Sequence, residues 1–216
     1  GYGADRWCER AQAEILKHLG GVKAQVHFIV GGTPTNATLI AAALRPWQSV
    51  ISVDTGHINA HEAGSIELTG HKVLAVPAEN GKLTARAVEE EGRRYLDGGA
   101  PEYLTQPKLA YISSPSEFGT VYSKAELEEL SAVCKKYGLY LFLDGARLGY
   151  WLASEGCDVT LADLARLTDA FYIGGTKCGA LFGEALVLGN PALQDHFRTC
   201  MKQRGDVLAK GWLMGL

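Results

Sequence analysis

The chain lacks any apolar run near the ~18 residues needed to cross a bilayer, and no signal-peptide pattern opens it, so a cytoplasmic protein is expected. It has no basic stripe. Lys and Arg number 21 against 24 Asp and Glu, and a net charge of −3 argues against nucleic acid as a partner. The five cysteines (Cys8, Cys134, Cys157, Cys178, Cys200) are odd in number, scattered and without a CxxC pair, so they read as reduced thiols and not as a disulfide framework. The histidine pair His57 and His61 has no cysteine or third histidine at ligand spacing, so no metal is expected. No repeat or low-complexity linker divides the 216 residues, and a 47% hydrophobic content suffices for one sizeable core.

What is present alternates. Apolar, β-branched runs lie near Val26–Val30, Val50–Val53, Lys72–Val76, Leu109–Ser113, Leu139–Leu143, Ala170–Ile173 and Ala185–Leu188, with amphipathic patterns between them. The clearest pattern is Ser123–Tyr137, where Ser123 and Glu126 form a capping-box signature. Helices between buried strands predict an α/β fold with a seven-stranded, mostly parallel sheet covered on both faces. Functional residues then collect at the carboxyl ends of the strands, where Gly32, His57, Asp144 and Lys177 all fall.

Four segments carry chemistry. In FYIGGTKCG (Phe171–Gly179) a lone lysine follows a strand that ends in glycines, so a buried strand delivers one amine, Lys177, to a polar site. Partial burial beside other cations would leave that amine neutral and able to form a Schiff base with an aldehyde cofactor. In LFLDGARLG (Leu141–Gly149) an apolar run ends in Asp144, with Arg147 three residues on. A carboxylate there can keep a cofactor's pyridine nitrogen protonated, as pyridoxal phosphate chemistry needs, or it can simply cap the next helix. VHFIVGGTPTN (Val26–Asn36) reads as strand, glycine turn and a helix over Ala37–Leu44. Gly32 and Thr33 would donate backbone N–H groups to a phosphate, with Thr35 or Asn36 as the cap, though a plain turn has the same pattern. DTGHINAHEAGS (Asp54–Ser65) places His57 at a turn, where it could stack on a cofactor ring or be structural, and has His61 and Glu62 beginning a helix.

In this order the pieces resemble the aspartate-aminotransferase-like, fold type I pyridoxal phosphate enzymes, and within them the threonine aldolase and β-eliminating lyase family. YGAD (Tyr2–Asp5), GGTPTN, GHINAHEAG, SEFGTVYS (Ser116–Ser123), DGARLG, GGTKCG and LAKGWLMG (Leu208–Gly215) are all similar to that family, across essentially the whole chain. The resemblance implies pyridoxal 5'-phosphate as cofactor, Lys177 as its Schiff-base lysine, Asp144 on the pyridine nitrogen, and Gly32 and Thr33 on the phosphate. It implies His57 stacked on the ring, and Arg147 reaching the phenolate oxygen or the substrate carboxylate. His57 first, then His61 or an ordered water, are the candidates for the base that takes the substrate hydroxyl proton. Glu117 would line the pocket or remain an exposed loop acid. Residues 1–216 would form the cofactor-binding large domain, without the family's N-terminal arm and small C-terminal domain. The implied reaction is aldol cleavage of threonine or allo-threonine to glycine and an aldehyde by a homodimer or homotetramer. β-Elimination, or a truncated domain that binds cofactor without activity, are the alternatives.

Overall fold

In the computed structural model, which describes all of Gly1–Leu216, the seven apolar runs form β1 (Gln25–Ile29), β2 (Gln48–Val53), β3 (Lys72–Val76), β4 (Gln106–Ser113), β5 (Tyr140–Asp144), β6 (Ala170–Gly174) and β7 (Glu184–Leu188). The helices are α1 (Arg6–Lys17), α2 (Gly32–Ala43), α3 (His57–Ala60), α4 (Ala85–Asp97), α5 (Lys124–Tyr137), α6 (Leu148–Leu152), α7 (Leu161–Leu167) and α8 (Phe197–Gln203). The strands make one sheet in the order β1-β7-β6-β5-β4-β2-β3. β7 pairs antiparallel with both β1 and β6, while the other pairings are parallel, so β7 alone runs against the rest. That reversal brings the amino end of β7 to the same sheet edge as the carboxyl ends of its neighbours.

Successive strand residues point to opposite faces, which splits the core in two. Tyr111, Phe142 and Tyr172 join a 19-residue apolar cluster with α2 and α8, whereas Ile112, Leu143 and Phe171 join a 26-residue cluster with α4, α5 and α7. Each fully buried aromatic among them contributes roughly 1.5–3 kcal/mol of apolar burial. α2 carries no charged residue and is buried without a break from Thr35 to Ile40, as expected of a helix enclosed on all sides. All five cysteines are free. No helix is long and apolar enough to cross a membrane.

α5 begins where the sequence predicts. Ser123 Oγ accepts from the Glu126 N–H at 3.2 Å, and Glu126 Oε2 accepts from the Ser123 N–H at 2.7 Å. Gly138 closes the helix at φ 67°, a left-handed conformation that glycine adopts without strain. Ser123→Ala removes the cap and is expected to cost about 1 kcal/mol. Thermal unfolding should then show a midpoint lower by about 2–4 °C.

Candidate active site

A cleft of about 240 Å³ opens at the carboxyl edge of the sheet. Every cofactor residue expected from the sequence lines it: Gly32 and Thr33 after β1, His57 after β2, Asp144 and Arg147 from β5 onward, and Lys177 after β6. Glu117, beyond β4, lines it too and is half-buried, so it is not an exposed loop acid.

Asp144 ends β5 at 4% exposure. Its Oδ2 accepts from the Tyr111 hydroxyl at 2.5 Å and from Asn36 Nδ2 at 3.2 Å, and its Oδ1 accepts from the Ala146 N–H at 3.0 Å. The last bond braces the following turn, but the residue that caps α6 is Arg147, and the Asp144 side chain faces the cleft. Burial, and then the Asp144 charge, push the Tyr111 phenol far above its ordinary pKa, so it remains a donor. The Tyr172 phenol is raised by the same two causes in the same order.

The phosphate turn forms one turn earlier than expected. α2 starts at Gly32 and not at Ala37, because Gly-Thr-Pro is compatible with a first helical turn and Pro34 lacks only an N–H that would have no partner there. Thr35 and Asn36 therefore do not cap it. Thr35 Oγ1 donates to the Gly31 carbonyl at 2.7 Å, and Asn36 is fully buried inside the helix. The cap is Gly31, with no side-chain hydrogen bond, so the N–H groups of Gly32 and Thr33 have no intrahelical partner. A Cβ on Gly32 would lie 3.0 Å from Tyr172 Oη, so glycine lets the helix start rest on that phenol. The helix dipole adds to the anion affinity of this cradle.

His57 begins the one-turn helix α3, and His61 ends it as an exposed residue, so His61 and Glu62 do not begin a helix. The left-handed pair Ala63 and Gly64, at φ 51° and 74°, breaks the helical path after them. Glu62 instead turns inward, 6% exposed. It accepts from His57 Nδ1, Asn36 Nδ2 and Ser65 Oγ, each at 2.7 Å. The Glu62 hydrogen bond raises the His57 pKa, desolvation opposes it, and the charges of Glu62, Asp144 and Glu117 add to the rise. Asn36 thus joins both buried carboxylates through one amide nitrogen.

Lys177 lies in the loop from Gly175 to Gly183 between β6 and β7, and its carbonyl accepts from the Tyr150 hydroxyl at 3.1 Å. It is exposed, not partly buried as expected, because it stands in an open loop whose residues from Thr176 to Leu181 are all exposed. Arg147, half-buried, is the other cation of the cleft. Sequence reasoning missed Glu184, Tyr111 and Tyr172, and took Asn36 for a helix cap where it is a buried partner of Asp144 and Glu62. The available signals were a lone acid opening the run EALVL and a lone amide within the uncharged helix α2.

These residues fit pyridoxal 5'-phosphate: an uncapped helix start suits its phosphate, a buried carboxylate its ring nitrogen, and an accessible amine its aldehyde. Comparison with known proteins agrees. The chain is 33% identical over 211 residues to the low specificity L-threonine aldolase of Pseudomonas aeruginosa, covering 97% of this chain and 60% of that protein. The Saccharomyces cerevisiae enzyme of the same name is 28% identical over 220 residues, with 99% and 54% covered. The chain therefore spans a little over half the length of these curated relatives. A solved structure of Leishmania major threonine aldolase superposes with a TM-score of 0.95 at 52% identity, covering 100% of this chain and 62% of that one. An archaeal alanine:glyoxylate aminotransferase, 20% identical with a TM-score of 0.71, shares the fold. The family model described as beta-eliminating lyase matches residues 1–214, and with the ordered cleft residues behind that match, the chain belongs to the beta-eliminating lyase family.

Proposed function

We propose that this chain is the cofactor-binding large domain of a pyridoxal phosphate-dependent carbon–carbon lyase that cleaves threonine or allo-threonine to glycine and an aldehyde. The observation that carries the reading is the buried Asp144 carboxylate and the Lys177 amine lining one cleft beside an uncapped helix start. The names of the relatives select aldol cleavage among the reactions such a cleft supports.

Bound there, pyridoxal phosphate supplies an electron sink conjugated to an aldehyde carbon. Gly32 and Thr33 hold the phosphate through backbone N–H groups. Asp144 holds the proton at the ring nitrogen, oriented by Tyr111 and Asn36. Lys177 supplies the amine for the aldehyde carbon. Arg147, a permanently charged fork donor, binds the phenolate oxygen or the substrate carboxylate. His57 would stack on the ring, and with its Nδ1–H donated to Glu62 its Nε2 would be free to take the β-hydroxyl proton.

The assembly we propose is a cytoplasmic homodimer or homotetramer, with a second copy beside the cleft. The exposed apolar side chains Phe118 and Leu181 stand on the loops after β4 and β6, and Tyr150 on α6, close in sequence to the cleft residues Glu117, Lys177 and Arg147.

With pyridoxal 5'-phosphate added, a visible absorption band should form in the wild type and be absent in Lys177→Ala, and glycine should shift it to longer wavelength. Aldehyde release from threonine should fall by about a thousandfold or more in Lys177→Ala. A band that persists in that variant would sink the lysine assignment. Pyruvate released from β-substituted amino acids, with no aldehyde from threonine, would assign β-elimination instead.

The His57 interactions set a pH dependence. Because Glu62 raises its pKa, the neutral base form appears only as the pH climbs through a value above the ordinary 6.5. Glu62→Gln removes that support, so the rising limb of the pH–rate profile should move to lower pH. NMR titration of the His57 ring checks the same shift without cofactor, and an unmoved titration would contradict the pairing.

A further inference from the structure

The chemistry proposed above leaves Glu184 without a task. This acid opens β7 at 5% exposure and lines the cleft with Asp144 and Lys177. Its Oε2 accepts the Gly175 N–H at 2.8 Å, two residues before the lysine. The loop it touches is closed on itself. The N–H groups of Gly175 and Thr176 both donate to the Gly183 carbonyl at 3.1 Å, and the Gly183 N–H donates to Thr176 Oγ1 at 2.9 Å. A Cβ on Gly175 would lie 2.6 Å from the Gly183 oxygen, so the two ends of the loop meet too closely for any side chain. Burial raises the Glu184 pKa, its contacts with Gly175 and Thr176 oppose this, and the Asp144 charge adds to the rise.

We propose that Glu184 is a positioning residue for Lys177, clamping the first peptide of the loop so that the amine is presented to the cleft from a fixed backbone. The inference rests on reading Lys177 as the cofactor-binding amine. A long, exposed lysine loses rotamer freedom whenever it engages a ligand, and a loose backbone beneath it would add to that cost. Displacements of about 1 Å at such a point are enough to slow bond formation substantially. The antiparallel direction of β7 makes the clamp possible, because it sets the first side chain of that strand against the start of the loop.

The test is the rate at which pyridoxal 5'-phosphate modifies Lys177, trapped with borohydride and located by peptide mass, in wild type and in Glu184→Gln, Glu184→Asp and Glu184→Ala. Gln keeps an acceptor at the same reach and should label within about twofold of wild type, whereas Asp, one methylene short, and Ala should label about tenfold slower. Thermal unfolding of each variant identifies those that are folded, and if Ala is not, Asp decides. A purely structural role would lower the unfolding midpoint and leave labelling of the folded protein unchanged. Wild-type labelling in folded Asp and Ala variants, or a Gln variant as slow as Ala, would overturn the clamp. Failure of the wild type itself to label at Lys177 would overturn the lysine reading, and this inference with it.

Discussion

The geometry of the site depends on a carboxylate held inside the sheet. Asp144 is 4% exposed at the end of a central strand, and an ionised carboxylate there is tolerated only when donors replace the water it has lost. Three do so: the Tyr111 hydroxyl, the Asn36 amide and the Ala146 N–H. Each comes from a different element, namely the neighbouring strand, the covering helix and the following turn. Removing one donor from such a group typically costs roughly 1–3 kcal/mol. The fold around Asp144 is therefore constrained by polar chemistry as well as by apolar packing.

That constraint explains several neighbours. Tyr111, Phe142 and Tyr172 follow one another across the sheet with ring centroids 5.8 and 6.2 Å apart, forming an apolar floor beneath α2. On that floor α2 carries no charged residue, and its Asn36 Nδ2 satisfies Asp144 and Glu62 together. Glu62 in turn orients His57. A chain of hydrogen bonds thus runs from β4 through β5 and α2 to α3, and it sets the ring-facing acid and the histidine in a common frame.

Much of this was legible beforehand because the signals are local. Seven apolar runs marked the seven strands, Ser123 and Glu126 marked the start of α5, and glycines followed by Lys177 marked a strand end. Gly32, His57, Asp144 and Lys177 fall at strand ends, the family resemblance adds Thr33 and Arg147, and the sheet brings all six to one cleft. Around Pro34 and Glu62, short-range and long-range terms compete. The helix expected over Ala37–Leu44 begins at Gly32, because Pro34 is accepted within its first turn, and Glu62, expected to begin a helix, turns inward to His57, Asn36 and Ser65.

Hydrophobic period, turn chemistry and caps act over a few residues, so the α/β alternation, the family motifs and the strand ends that carry reactive side chains are written locally in the chain. The reversed direction of β7 is set by long-range pairing, because strand direction depends on which edges pair and not on the residues of the strand alone. That reversal puts Glu184 at the functional edge, where a rule about carboxyl ends would never place it. Tertiary structure also decided which donors surround Asp144, for Asn36 and Asp144 are 108 positions apart, and a hydrogen bond between them exists only after the helix has closed on the sheet.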